Sequence, residues 1–154
     1  MESKLVEFYE LANGDRQEFL INLSNEELAV LMNDTTSCFK TLDDLSVSYA
    51  AFNIEKEKGS RPFIGIWWLI KKEAKKAWEE SCCAAEAEII KKEKAIRGSY
   101  IQTLLDREMS AIIAQYPSSK KEDMLTRSSA TTFLKIKLKN DFMPVILAEA
   151  NSRQ

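Results

Sequence analysis

Few side chains in this sequence could carry covalent chemistry, and their spacing keeps them apart. The candidate nucleophiles are Cys38, Cys82 and Cys83. The chain has no histidine, which removes the usual general base, the usual activator of a nucleophile and the commonest metal ligand. Glu79, Glu80, Glu86 and Glu88 flank the adjacent cysteines and disfavour a thiolate there. The close carboxylates, Glu26 with Glu27, Asp43 with Asp44, Glu79 with Glu80 and Asp106 with Glu108, stand one or two residues apart. On a helix such neighbours diverge and do not converge on a metal or substrate. Three cysteines are too few for a four-cysteine zinc site, and mixed cysteine–histidine sites are impossible. No glycine-rich phosphate loop or Gly-x-Ser-x-Gly elbow is present. The expectation is a protein that is not an enzyme, with no catalytic residues, no metal and no cofactor.

Side chains suited to binding are more plentiful. Lys71, Lys72, Lys75 and Lys76 form one basic band, and Lys91, Lys92, Lys94 and Arg97 form a second several turns later. Such bands could follow a phosphate backbone. Interspersed glutamates, with helical pairs such as Glu88 with Lys92 and Glu93 with Arg97, make a solvated face the commoner explanation. Trp67 and Trp78 lie three turns apart on one face and suit core packing. Trp68 points about 100° away from Trp67 and is the tryptophan best placed to anchor a partner. The candidate binding residues are therefore Trp68, Lys71, Lys72, Lys75, Lys76, Lys91, Lys92 and Arg97. The small residues Cys82, Cys83, Ala84 and Ala85 would let another helix approach closely, within the chain or from a second copy.

These residues sit on a segment that dominates the sequence. Between Pro62 and Pro117 there is no proline, and the only glycines are Gly65 and Gly98. Trp67, Ile70, Ala74, Trp78, Cys82, Ala85, Ile89, Glu93, Ile96, Tyr100 and Leu104 follow at steps of three or four. The pattern predicts one very long helix over 62–116, continuous or bent at Gly98-Ser99. Only Glu93 interrupts the apolar stripe. Upstream, Leu5, Phe8, Tyr9 and Ala12 mark a first helix closed by Asn13-Gly14. Asp15 is placed to cap a second helix carrying Phe19, Leu20 and Leu23. Ser24 and Glu27 form a capping box for a short helix that stops near Asn33-Asp34. A further helix runs from Thr35 to about Lys58, and Gly59-Ser60-Arg61-Pro62 reads as a loop. After Pro117, residues 120–139 read as helix, although Leu134, Ile136 and Leu138 alternate with lysines as in a strand. Asp141 suits a cap for a last helix, with Pro144 in its first turn and Val145, Ile146 and Leu147 inward. The predicted fold is all-α. It is a single helical bundle over 1–154, with short N-terminal helices (1–58) and C-terminal helices (120–150) packed on the long central one.

Bulk properties agree. A chain of 154 residues, 45% hydrophobic and 30% charged, can bury a core unaided. No apolar run reaches membrane-spanning length. The N-terminus lacks a secretion pattern, and the odd cysteine count suits a reducing, cytoplasmic setting. Residues 1–57 hold 12 acidic and 4 basic side chains, whereas 58–154 hold 12 acidic and 18 basic. The expected function is non-enzymatic protein binding: a regulator, adaptor or inhibitor that covers or bridges a protein partner. By class alone, without any residue resemblance, that includes proteins carried by mobile elements against host machinery. A homodimer through the long helix would cover its excess stripe. The alternatives are a nucleic-acid-associated protein using the basic bands and a structural helical oligomer. No membrane partner is expected.

Overall fold

The computed structural model describes residues 3–59 and 67–154, with the side chains of 58–75 outside that description. The fold is an all-α helical bundle, as the periodicity predicts. Seven α-helices are described: α1 Lys4–Glu10, α2 Asn13–Ile21, α3 Asn25–Gly59, α4 Trp67–Ala95, α5 Tyr100–Gln115, α6 Met124–Lys137 and α7 Met143–Ser152. A π-helical turn, Leu138–Phe142, joins the last two. No helix among the described residues is long and apolar enough to cross a membrane. The loop expected at 59–62 falls largely outside the described residues.

Two compact units divide the chain. One comprises Met1–Asp43 with Gly98–Gln154, and the other Asp44–Arg97. In the second unit the C-terminal part of α3 and α4 run antiparallel. Tyr49 donates to Glu93 Oε1 at 2.7 Å, and Lys92 donates to Ser48 Oγ at 2.6 Å and to Asp44 Oδ1 at 3.1 Å. The Trp78 indole N–H donates to the Glu55 carbonyl. Ile89 and Ile96 are buried with Leu45 and Tyr49. Glu93, the one polar interruption of the stripe, is thus an acceptor that satisfies a buried tyrosine.

In the first unit, α5 and α6 form the main pairing, with α1 against α5 and α2 against α7. The core gathers Phe8, Leu20, Leu31, Leu104, Leu134, Leu138 and Phe142, all fully buried. Phe142 meets Phe8 edge-on, with centroids 4.9 Å apart, a favoured aromatic geometry. Two arginines close the exposed carbonyl ends of short helices. Arg16 donates to the Phe8 and Tyr9 carbonyls at 3.1 Å each and stacks 4.7 Å from the Phe142 ring centroid. Arg153 donates to the Leu20 carbonyl at 2.7 Å.

Several boundaries differ from the sequence expectation. The long segment is two helices, and of the two expectations the break at Gly98-Ser99 is the one that holds: Gly98, at φ +80°, follows α4 in the left-handed region, and Ser99 caps α5 by accepting from Gln102 N. Conversely, α3 runs through Asn33-Asp34 without stopping. Leu28, Leu31, Thr35, Cys38, Leu42, Leu45 and Tyr49 are all buried at strictly alternating steps of three and four, the seven-residue repeat of a packed helical seam. The burial along that seam outweighs the polar residues at 33–35. Thr35 turns its hydroxyl back to the Leu31 carbonyl at 2.7 Å. Asn13-Gly14 opens α2 and does not close α1, because α1 leaves through extended Leu11 and Ala12. The capping box forms as expected, with Ser24 Oγ accepting from Glu27 N at 3.1 Å and Glu27 Oε1 from Ser24 N at 3.0 Å.

Candidate functional site

The sequence-derived binding residues fall into two groups. Trp68, Lys71, Lys72 and Lys75 lie on the first turns of α4, and their side chains are outside the described residues. Lys76, Lys91 and Arg97 are exposed, as is Lys94. Lys92 is held within the fold by its bonds to Asp44 and Ser48, an internal tie between α3 and α4. Trp78 is half-buried, in keeping with the packing reading. Among the cysteines, Cys38 is buried, Cys82 half-buried and Cys83 exposed. Burial, with Asp34 nearby, pushes the Cys38 thiol up to about 12. Cys82 is also raised, first by its partial burial and then by Glu55. Neither is poised as a thiolate.

A different surface stands out on α6. Leu125 is 77% exposed, Ile136 50% and Phe133 48%. At 100° per residue, Leu125, Ser129, Thr132, Phe133 and Ile136 fall within an arc of about 100°. The opposite side of the helix supplies core. Thr126, Ala130, Leu134, Leu138, Phe142 and Ile146 are buried at unbroken steps of four. Successive steps of four drift by about 40° each in an α-helix, so so long a row cannot stay on one side of a regular helix. The π-turn corrects the drift, with Met143 N donating to the Leu138 carbonyl in an i→i+5 bond. It also lies just before Pro144, which has no N–H to donate.

Polar groups on α6 fix how the apolar strip is presented. Glu108 of α5 is buried, with one oxygen accepting from Tyr9 Oη at 2.6 Å and from Lys137 Nζ at 2.6 Å. Lys137 also lies 5.0 Å from the Tyr9 ring centroid. Burial and the adjoining Glu108 carboxylate push the Tyr9 phenol well above its ordinary value. On the other edge, Lys135 pairs with Asp43 at 2.8 Å and lies 5.7 Å from the Phe39 ring. The lysines that give residues 134–138 a strand-like alternation are therefore the two tethers of a helix. The outward strip, Leu125, Phe133 and Ile136, lies between them.

A second feature of the same unit is a groove between α3 and α7. Two adjoining recesses of about 300 and 100 Å³ share Met32. Ala29, Thr36 and Ala150 give the groove small walls, Met32, Met143 and Leu147 are its larger apolar lining, and Arg153 closes one end. Leu147, expected inward from the sequence, is 48% exposed at its edge, whereas Ile146 is buried.

No protein-family model matches this chain, and no curated protein or solved structure matches it either. The signal that could have revealed the α6 surface was the row of six core residues at steps of four. Once it is assigned inward, Leu125, Phe133 and Ile136 are left pointing out.

Proposed function

We propose that this protein works by binding other proteins through outward apolar faces of its helices, as a regulator, adaptor or inhibitor that performs no chemistry of its own. The α6 strip supports this reading. Single exposed apolar residues are ordinary on a protein surface. Three large ones on one arc of one helix, edged by tethered lysines, make a helix-docking surface. Affinity capture with the wild-type protein and with Phe133→Ser/Ile136→Ser tests it. The expected outcome is a protein retained by the wild type and lost by the variant, with unchanged far-ultraviolet circular dichroism. Identical captured sets would overturn the reading.

Nucleic-acid association is the second reading, favoured by the exposure of Lys76, Lys91 and Arg97. It requires binding to duplex DNA or RNA that falls steeply with salt and disappears in Lys91→Glu/Arg97→Glu. Absence of binding at low salt would remove it.

A further inference from the structure

We infer that the recess between the start of α2 and the π-turn binds a small zwitterion, a free α-amino acid with a short apolar side chain. The site shares no residue with the α6 strip and does not depend on the docking reading. Asn13, Arg16 and Gln17 stand at i, i+3 and i+4 on α2, so they share one face of its first turns. Asn140 and Asp141 belong to the π-turn, and Val145 follows on α7. These six residues line a recess of about 350 Å³, within the size range of small-molecule sites.

Arg16 is the positive pole. Its Nε donates to the Phe8 carbonyl and one Nη to the Tyr9 carbonyl, at 3.1 Å each. The other Nη donates to Asn13 Oδ1 at 2.6 Å, and the guanidinium lies over the Phe142 ring. A guanidinium has five N–H groups, so these three bonds leave two unspent. Held this firmly, Arg16 loses little freedom on binding, and its planar fork suits a carboxylate. Asn13 spends only its oxygen on Arg16, which leaves its amide N–H groups beside the same pole.

The opposite wall is negative. By sequence Asp141 suits a cap for the last helix, but the π-turn carries α6 into α7 without a start to cap. Phe142 takes the N-cap place with helical backbone and no side-chain bond. Among the described residues, Gln17, Asn140 and Asp141 have no hydrogen-bond or ion-pair partner. Arg16 and Asp141 are the charged side chains of the lining, and they form no ion pair with each other.

That separation selects the ligand. A simple anion suits Arg16 but meets the Asp141 carboxylate. A simple cation suits Asp141 but meets the guanidinium. A carboxylate and an ammonium on one small molecule satisfy both poles through charge-assisted hydrogen bonds. The three primary amides, each donor and acceptor at once, serve either end. Val145 is the apolar wall, which suits a short aliphatic side chain.

Nuclear magnetic resonance on the nitrogen-labelled full chain tests this, because the side-chain amides of Asn13, Gln17 and Asn140 report separately. L-valine is the probe. Acetate, isobutylamine and glycerol are the anion-only, cation-only and neutral controls. L-valine at millimolar concentration should move those three signals saturably, and each control should act far more weakly. Asp141→Asn should weaken L-valine about tenfold without weakening acetate. Asp141 is exposed, and circular dichroism checks that the variant folds. Arg16→Lys keeps the charge and loses the fork, so it should weaken L-valine too. Arg16 also holds the end of α1, so the Asp141 variant is the deciding one. No saturable response to L-valine, an equal response to acetate or glycerol, or unchanged L-valine binding in Asp141→Asn would each overturn the inference.

Discussion

Glu108 places one carboxylate oxygen between a phenol and an ammonium inside the first unit. Removing one partner from a buried pair costs about 3–5 kcal/mol because the remaining charge is stranded. Lys137 keeps 43% of its side chain exposed, so water can partly replace it. We expect Lys137→Met to cost about 2 kcal/mol, read by urea unfolding, and Tyr9→Phe to cost about 1 kcal/mol. Tyr100 offers a pH test. It donates to the Asp34 carbonyl at 3.1 Å, and burial, with Asp34 beside it, pushes its phenol up to about 12. The unfolded phenol ionises near 10. Between those values the folded chain holds more protons than the unfolded one, so this contribution is complete below pH 10 and is lost as pH rises towards 12. Tyr100→Phe should flatten the alkaline fall in stability; an unchanged slope would show that the phenol contributes nothing. The thiols should also separate by rate. At pH 8 a disulfide reagent is expected to modify Cys83 first, Cys82 more slowly, and Cys38 only after unfolding.

At the scale of elements, Gly98 is the one residue at positive φ among those described. Its φ of +80° is a conformation that costs other residues about 1–2 kcal/mol. An added Cβ would meet nothing within 4 Å, so backbone conformation is the only penalty. Gly98→Ala should lower stability by about 1 kcal/mol, and Gly98→Asn by less, since asparagine tolerates this region; equal losses for the two would point to another cause. The glycine marked the place for a break in the sequence, but an apolar register that continued across it left a continuous helix equally open. Register reports which side of a helix is buried and is silent on whether the backbone stays helical between turns. At Asn33-Asp34-Thr35 the opposite happened. Good capping residues suggested an end, yet the seven-residue seam from Leu28 to Tyr49 carried the helix through. The Ser24–Glu27 box was legible because both halves of its reciprocal bonding are local. The α6 surface was not, because exposure is a property of what packs nearby, and the tethers of Lys135 and Lys137 reach residues 92 and 29 positions away.

For the whole molecule, apolar periodicity indicated a helical fold and short apolar runs indicated no membrane-spanning segment, and the described helices agree. The charge division along the sequence is answered inside the compact units by ion pairs, Arg107 with Glu10 and Lys135 with Asp43 in one and Lys92 with Asp44 in the other, contacts that periodicity alone could not bring together. Stability should respond to salt mildly, because each of these pairs keeps at least one well-exposed partner and is screened. Raising salt from low to physiological strength is expected to leave the urea-unfolding midpoint nearly unchanged. Steep destabilisation over that range would instead indicate a fold held together by charge.

The π-turn means that the C-terminal helix contains one residue more than a regular α-helix would need there. Deleting Asn140 would change the steps after Leu138 from four and four to three and four, still bringing the former Phe142 and Ile146 onto the inner side. The same deletion at Ser129 would swing every later side chain by about 100° and drag Leu134 out of the core. A shortened chain should therefore melt near the parent temperature in the first case and lose its cooperative transition in the second. Length is negotiable at one place in this helix and fixed at the other.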